Sequence, residues 1–299
     1  MSTGNCPYTT VAALDAAKKF LGANPGWKGV DYVQSSWLPG VFDPLSKELP
    51  NIPEIESSAT QIIAEHVAFL EKRGWKPQIQ ELKPNEFATA GVLDLPVAWT
   101  EKGQVVQVKT DDGTKYPGVK IPEAGVEIFT NPVYQYPVAC LKTKSGDKVW
   151  ITIMASPPRT KDLVSTAQNV FGSQTHPGIV TALDYSDNYA GLIFPMVDLT
   201  IKRSLDWISG LAAYDESGNK TTELAEAIQQ LTLKMNEEGA RARAADEMKF
   251  MVTSIRMPKL PLVINRPFLV SFERPGLTSP LFVAHVTEED WKNPGDLGV

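Results

Sequence analysis

Single prolines interrupt this chain from end to end. Proline breaks helix interiors and central strands and collects at turns and sheet edges, so 23 prolines in 299 residues, above the usual ~5%, favour strands joined by turns over a helical bundle. With 42% hydrophobic residues, a chain of this length holds enough apolar side chains for one large domain or two ordinary ones. No repeat and no long polar linker divides it, so residues 1–299 read as a single domain.

Hydrophobic periodicity supplies the elements. Val11, Leu14, Ala17, Lys18 and Leu21 follow helical spacing over Thr9 to Leu21, with Thr9 or Thr10 as cap. A short strand is expected at Val30 to Trp37 and a helix from Ser57 to Arg73, with Ile62, Ile63, Val67, Phe69 and Leu70 on one face. Period 2 then takes over in Phe87 to Trp99, Val105 to Lys109, Gly125 to Phe129, Tyr136 to Thr143 and Lys148 to Ala155. Lys144-Ser145-Gly146-Asp147 marks a hairpin turn between the last two. A helix is expected from Lys161 to Phe171, then strands at Ile179 to Asp184 and Gly191 to Lys202. Short helices around Ser204 to Leu211 and from Thr222 to Gln230 are followed by strands at Leu231 to Met235, Phe268 to Phe272 and Leu281 to Val286. Helices early and strands late indicate an α+β fold.

Charge and rare residues narrow the chemistry. The 29 basic and 35 acidic side chains give a net charge of -6, with no Lys/Arg cluster to neutralise phosphates, which argues against nucleic acid as a partner. Met1 to Pro25 lacks the basic start and apolar core of a secretory signal, and no apolar run reaches the ~18 residues of a membrane span. A soluble cytoplasmic protein is expected, or an extracellular one if a signal has been removed. Cys6 lies in a polar stretch and Cys140 in an alternating apolar one, neither at metal-ligand spacing. His66, His176 and His285 fall in no catalytic or metal constellation. His285 reads as a satisfied or surface-facing histidine in a strand, and no metal or other cofactor is expected.

The C-terminal third carries the specific signal. Met235-Asn236-Glu237-Glu238-Gly239-Ala240 is followed by a run of small and charged residues, Arg241 to Glu247. Alone, Ala240 to Glu247 also suits one or two turns of exposed helix. With Asn265-Arg266-Pro267-Phe268-Leu269-Val270 and Ser279-Pro280-Leu281-Phe282-Val283-Ala284-His285-Val286, however, the chain resembles the serpin family: a hinge, the signature after the reactive loop, and the final strand. The match is specific from about Gly191 to Glu288. Upstream, Pro137 to Pro157 resembles the family's central hairpin in pattern only, and the N-terminal helical cluster is expected to be reduced.

The resemblance implies a large central mixed β-sheet with smaller sheets and a peripheral helical cluster. It also implies a hinge and exposed reactive loop over 237–261, and a monomeric suicide inhibitor of a serine protease, not an enzyme. In such a protein the cleaved loop inserts as a new strand while the protease is still acyl-linked. An inserted strand alternates faces. From Ala240 the inward set is Ala240, Ala242, Ala244, Asp246 and Met248, and Arg241 and Arg243 point to water. The hinge set is thus Glu237, Glu238, Gly239, Ala240, Ala242 and Ala244. Counting from Glu237 places the scissile bond at Thr253-Ser254, preceded by Met251 and Val252, which suits elastase- or subtilisin-like pockets; Arg256-Met257 is the trypsin-like alternative. Asp246 on the inward face opposes insertion, which keeps a non-inhibitory binding or structural role as the alternative function. The family's histidine in the strand before the hinge has no match in Gln229 to Lys234, and Val105 stands where its tryptophan is expected after Lys102-Gly103.

Overall fold

The computed structural model describes residues 1–22, 26–79, 81–130, 134–172, 184–185 (backbone only), 189–214, 217–238 and 259–297. The chain runs β1 (Thr3–Asn5), α1 (Pro7–Leu21), β2 (Gly26–Lys28), α2 (Tyr32–Trp37), α3 (Asp43–Glu48), β3 (Ile55–Thr60), α4 (Ile63–Glu71) and β4 (Ala88–Leu93). It continues with β5 (Gln104–Lys109), β6 (Lys115–Pro122), β7 (Val126–Thr130), β8 (Val138–Lys142), β9 (Lys148–Ile153), α5 (Leu163–Phe171), β10 (Asp184–Tyr185), β11 (Tyr189–Pro195) and β12 (Val197–Ser204). The last stretch holds β13 (Ala212–Tyr214), β14 (Lys220–Glu223), β15 (Ile228–Met235), β16 (Leu260–Val263), β17 (Phe268–Glu273) and β18 (Phe282–Val286). The α+β expectation holds.

Contacts gather these elements into two compact units. The first comprises Met1–Asn5, Pro96–Ile201 and Leu231–Val299. Its main sheet has seven strands in the order β1-β18-β17-β9-β8-β7-β10, antiparallel at each pairing. Helix α5 lies on this sheet and closes a core of Val138, Cys140, Trp150, Leu163, Phe171 and Leu269. The β8–β9 hairpin forms at the expected turn, because Asp147 is seized by Arg274, whose Nε and Nη2 donate to its two oxygens at 2.8 and 2.9 Å. A second sheet has the order β16-β11-β6-β5 and contains a parallel pairing, β11 with β16. The largest described sheet is thus antiparallel, the mixed one has four strands, and β15 pairs with β12 in a separate two-stranded sheet. Short turns can join only antiparallel neighbours, and β16 reaches β11 at the far end of a long crossover.

The second unit comprises Cys6–Leu95 and Lys202–Gln230, with α1 packed on the β3–β4 pair and a three-stranded sheet β14-β13-β2. Here the sequence patterns mislead three times. Val30 to Trp37 is not a strand: Asp31 accepts a hydrogen bond from Gln34 N at 2.8 Å and starts α2. The Gln34 amide then donates to the Trp207 and Ser209 carbonyls. Ser57 to Arg73 is not one helix, since Ile55–Thr60 pairs with β4 and Thr60 Oγ1 accepts from Ile62 N at 3.0 Å, so α4 begins at Ile63. Thr222 to Gln230 supplies the ends of β14 and β15 instead of a helix.

Strand β6 went unseen because Pro117 and Gly118 mask its alternation. It is nevertheless an inner strand, between β5 and β11, and the Pro117 carbonyl accepts from Met196 N. Cys6, expected in a polar stretch, is 1% exposed. The expected strand over Ile179 to Asp184 lies outside the described residues except at Asp184.

Candidate functional site: the hinge at the end of β15

Strand β15 pairs with β12. Along it Gln229, Leu231, Leu233 and Met235 are buried while Thr232 and Lys234 are exposed, the alternation of a strand with one covered face. The alternation breaks at the next residue. Asn236 is also buried, at 3% exposure, where the alternation calls for an exposed residue, and β15 ends at Met235.

Asn236 is held by three hydrogen bonds. Its carbonyl accepts from Trp99 Nε1 at 3.0 Å, its Nδ2 donates to the Gly295 carbonyl at 2.7 Å, and its Oδ1 accepts from Glu238 N at 2.8 Å. Glu237 is fixed by its backbone, whose carbonyl accepts from Gly103 N at 3.1 Å. That approach needs a glycine: a methyl group on Gly103 would lie 2.4 Å from Val119 Cγ1 and 3.3 Å from Glu237 Cα. The sequence reading looked for a tryptophan after Gly103; the structure places one against the hinge from the other side, Trp99, buried and edge-on to Phe194.

Of the expected site residues, Glu237 and Glu238 stand just past the end of β15, both half-buried. Gly239, Ala240, Ala242, Ala244, Asp246, Thr253, Ser254, Arg256 and Met257 lie outside the described residues. The chain is described again from Lys259, whose Nζ meets Glu123 Oε1 at 3.2 Å, and enters β16 at Leu260. The Asn265-Arg266-Pro267 motif then has a plain structural task. Asn265 Nδ2 and Arg266 Nε both donate to Asp111, and the Pro267 carbonyl accepts from Met154 N at 2.8 Å, guiding the chain from β16 into β17.

The remaining nucleophile candidates are shut away. Burial pushes the Cys6 thiol up to about 11 and the Cys140 thiol up to about 12, so neither supplies thiolate at neutral pH. Asn236, Trp99 and Gly295 were missed as site residues because 137 and 59 positions separate the partners, and no local pattern announces such pairs.

Comparison with known proteins gives a partial likeness in sequence and a fuller one in fold. A family model described as Serpin (serine protease inhibitor) matches residues 197–289. "Serine proteinase inhibitor 2.4" of Apodemus sylvaticus is 34% identical over 71 residues, which is 24% of this chain and 17% of that protein. The chain thus matches about a sixth of the curated relative's length. In fold it is similar to thyroxine-binding globulin in complex with thyroxine, with a TM-score of 0.58, 14% identity and coverage of 95% of this chain and 92% of that one. It is also similar to mouse protein-Z dependent protease inhibitor, at TM-score 0.58 and 14% identity, covering 95% and 90% of the two chains. A serpin from Schistosoma mansoni matches at TM-score 0.58 and 13% identity, covering 95% of each chain. In sequence the chain resembles the serpin family over residues 197–289, and in fold it is similar to a solved serpin along 95% of its length.

Proposed function

We propose that residues 1–299 act as one inhibitory domain, a monomer without a cofactor, that traps serine proteases by inserting its cleaved 237–261 segment as a strand beside β15. The observation that supports this reading is the end of β15 at Met235, after which Asn236 and the Glu237 carbonyl are held by hydrogen bonds outside the strand. A segment that returns beside β15 as a separate strand takes its register from the turn between them. Taken from Ala240, its alternate residues are Ala240, Ala242 and Ala244, small enough to enter the core, with Arg241 and Arg243 toward water. Asp246 follows in the same phase, and its carboxylate slows the last part of insertion unless it protonates.

Glu237, Glu238 and Gly239 act as the hinge, and Thr253-Ser254 is the bait for an elastase- or subtilisin-like protease, with Arg256-Met257 serving a trypsin-like one. The test mixes the protein with one protease of each type and looks on a denaturing gel for a band at the summed mass. Mass spectrometry of the released C-terminal fragment then reads the bond, which starts at Ser254 or Met257. Cleaved monomer with no covalent band across all three types would overturn the inhibitory reading. A non-inhibitory binding role is the second reading, favoured by the position of Asp246 and compatible with a fold neighbour described in complex with thyroxine.

A further inference from the structure

Beyond β18 the chain does not simply trail away. Trp291 is 2% exposed and sits against Tyr116 and Phe268, with ring centroids at 5.1 and 6.3 Å. Four residues later Gly295 reaches the hinge. The turn is local chemistry: Asn293 Oδ1 accepts from Gly295 N at 2.9 Å, Pro294 stiffens the step between them, and Gly295 adopts φ +77, where other side chains are strained. This conformation aims the Gly295 carbonyl at Asn236 Nδ2, 2.7 Å away.

The consequence lies at the other end of the same amide. With Nδ2 held by the tail, Asn236 Oδ1 is presented to Glu238 N, and that bond occupies the backbone donor that a strand extended past Met235 would use in a ladder. The tail therefore orients the group that ends the strand. We infer that the Asn293–Gly295 turn is a latch on the hinge, holding Glu238 out of the sheet through the Asn236 side chain. Its action as a brake on loop insertion rests on the inhibitory reading above, whereas the latch itself does not.

Two full-length substitutions and one shortened chain test it by amide hydrogen exchange at neutral pH. A chain ending at Asn293 keeps Trp291 and loses Gly295. Asn236→Asp keeps the acceptor for Glu238 N and loses the donor to the Gly295 carbonyl, and Asn236→Ala loses both. Exchange at Glu238 is expected to rise about tenfold in the shortened chain and in N236D, and further in N236A. Amides of Thr232 and Lys234 inside β15 should keep their parent rates, which shows that the sheet is intact. If the shortened chain fails to fold, N236D decides. Unchanged exchange at Glu238 in N236D overturns the latch. A synthetic peptide copying residues 240–252 separates the two readings: faster incorporation by the variants than by the parent supports the brake. Equal rates in parent and variants overturn it, and no incorporation by any of them counts against the inhibitory reading alone.

Discussion

His285 is fully buried in β18, its Nε2 within 2.8 Å of the Met154 carbonyl and its Nδ1 without a hydrogen-bond partner. The carbonyl requires the proton on Nε2, so a second proton would sit on a nitrogen facing no acceptor. Burial accordingly holds this imidazole below the usual histidine range, the nearby amino terminus acting in the same direction and Glu288 against it. His66, 3% exposed with its Nδ1 also unpartnered, is lowered by burial too. The unfolded chain binds these protons from about pH 6.5 downward, while the folded chain resists until lower pH. Stability is thus fully present above about pH 6.5 and is lost as pH falls below it. The urea midpoint should drop between pH 7 and pH 5, and less so in His285→Gln, which retains a donor for Met154; equal slopes in the two proteins would exclude His285 as the source. Gly103→Ala should cost about 1–3 kcal/mol by overpacking against Val119 and Glu237, read as a lowered melting temperature. The sequence reading left His285 between a satisfied and a surface-facing histidine, because alternation tells which residues share a face but not that β18 is buried at all five positions.

At the scale of elements, the hairpin of β8 and β9 depends on a partner far along the chain. Asp147 is 3% exposed, and Arg274 supplies its guanidinium from the turn after β17. Arg274→Ala would leave that carboxylate buried without its cation, with an expected loss of about 3–5 kcal/mol in urea unfolding. Asp31→Ala, removing the cap of α2, should cost only about 1 kcal/mol. Most later strands were legible because Val, Ile, Phe and Trp alternate in them at period 2. The early elements were not. Ser57 or Ser58 suits the cap of a helix over the apolar spacing that follows, and only pairing with Ala88–Gly91 makes Ser57 to Thr60 a strand. Ile228 to Gln230 looked like the end of a helix, yet Gln229 is a β15 residue whose amide donates to the Cys6 carbonyl at 2.9 Å.

For the whole molecule, the inhibitory reading predicts a change in stability without a change in composition. Cutting the 237–261 segment between Met251 and Met257 should let a new strand form, and a gain of ~5 kcal/mol would raise the melting temperature by ~10 °C or more. A cleaved protein that melts with the intact one fits the non-inhibitory role instead. No helix among the described residues is long and apolar enough to cross a membrane. What the sequence determined by itself was the resemblance to the serpin family and the class of fold, because the Met235–Ala240 run, the Asn265–Val270 motif and the closing strand are contiguous runs whose information is local. Only the tertiary structure decided how the hinge is held. Trp99, Gly103 and Gly295 meet Asn236 and Glu237 through single hydrogen bonds across long sequence separations, and such bonds leave no period or spacing in the chain that makes them.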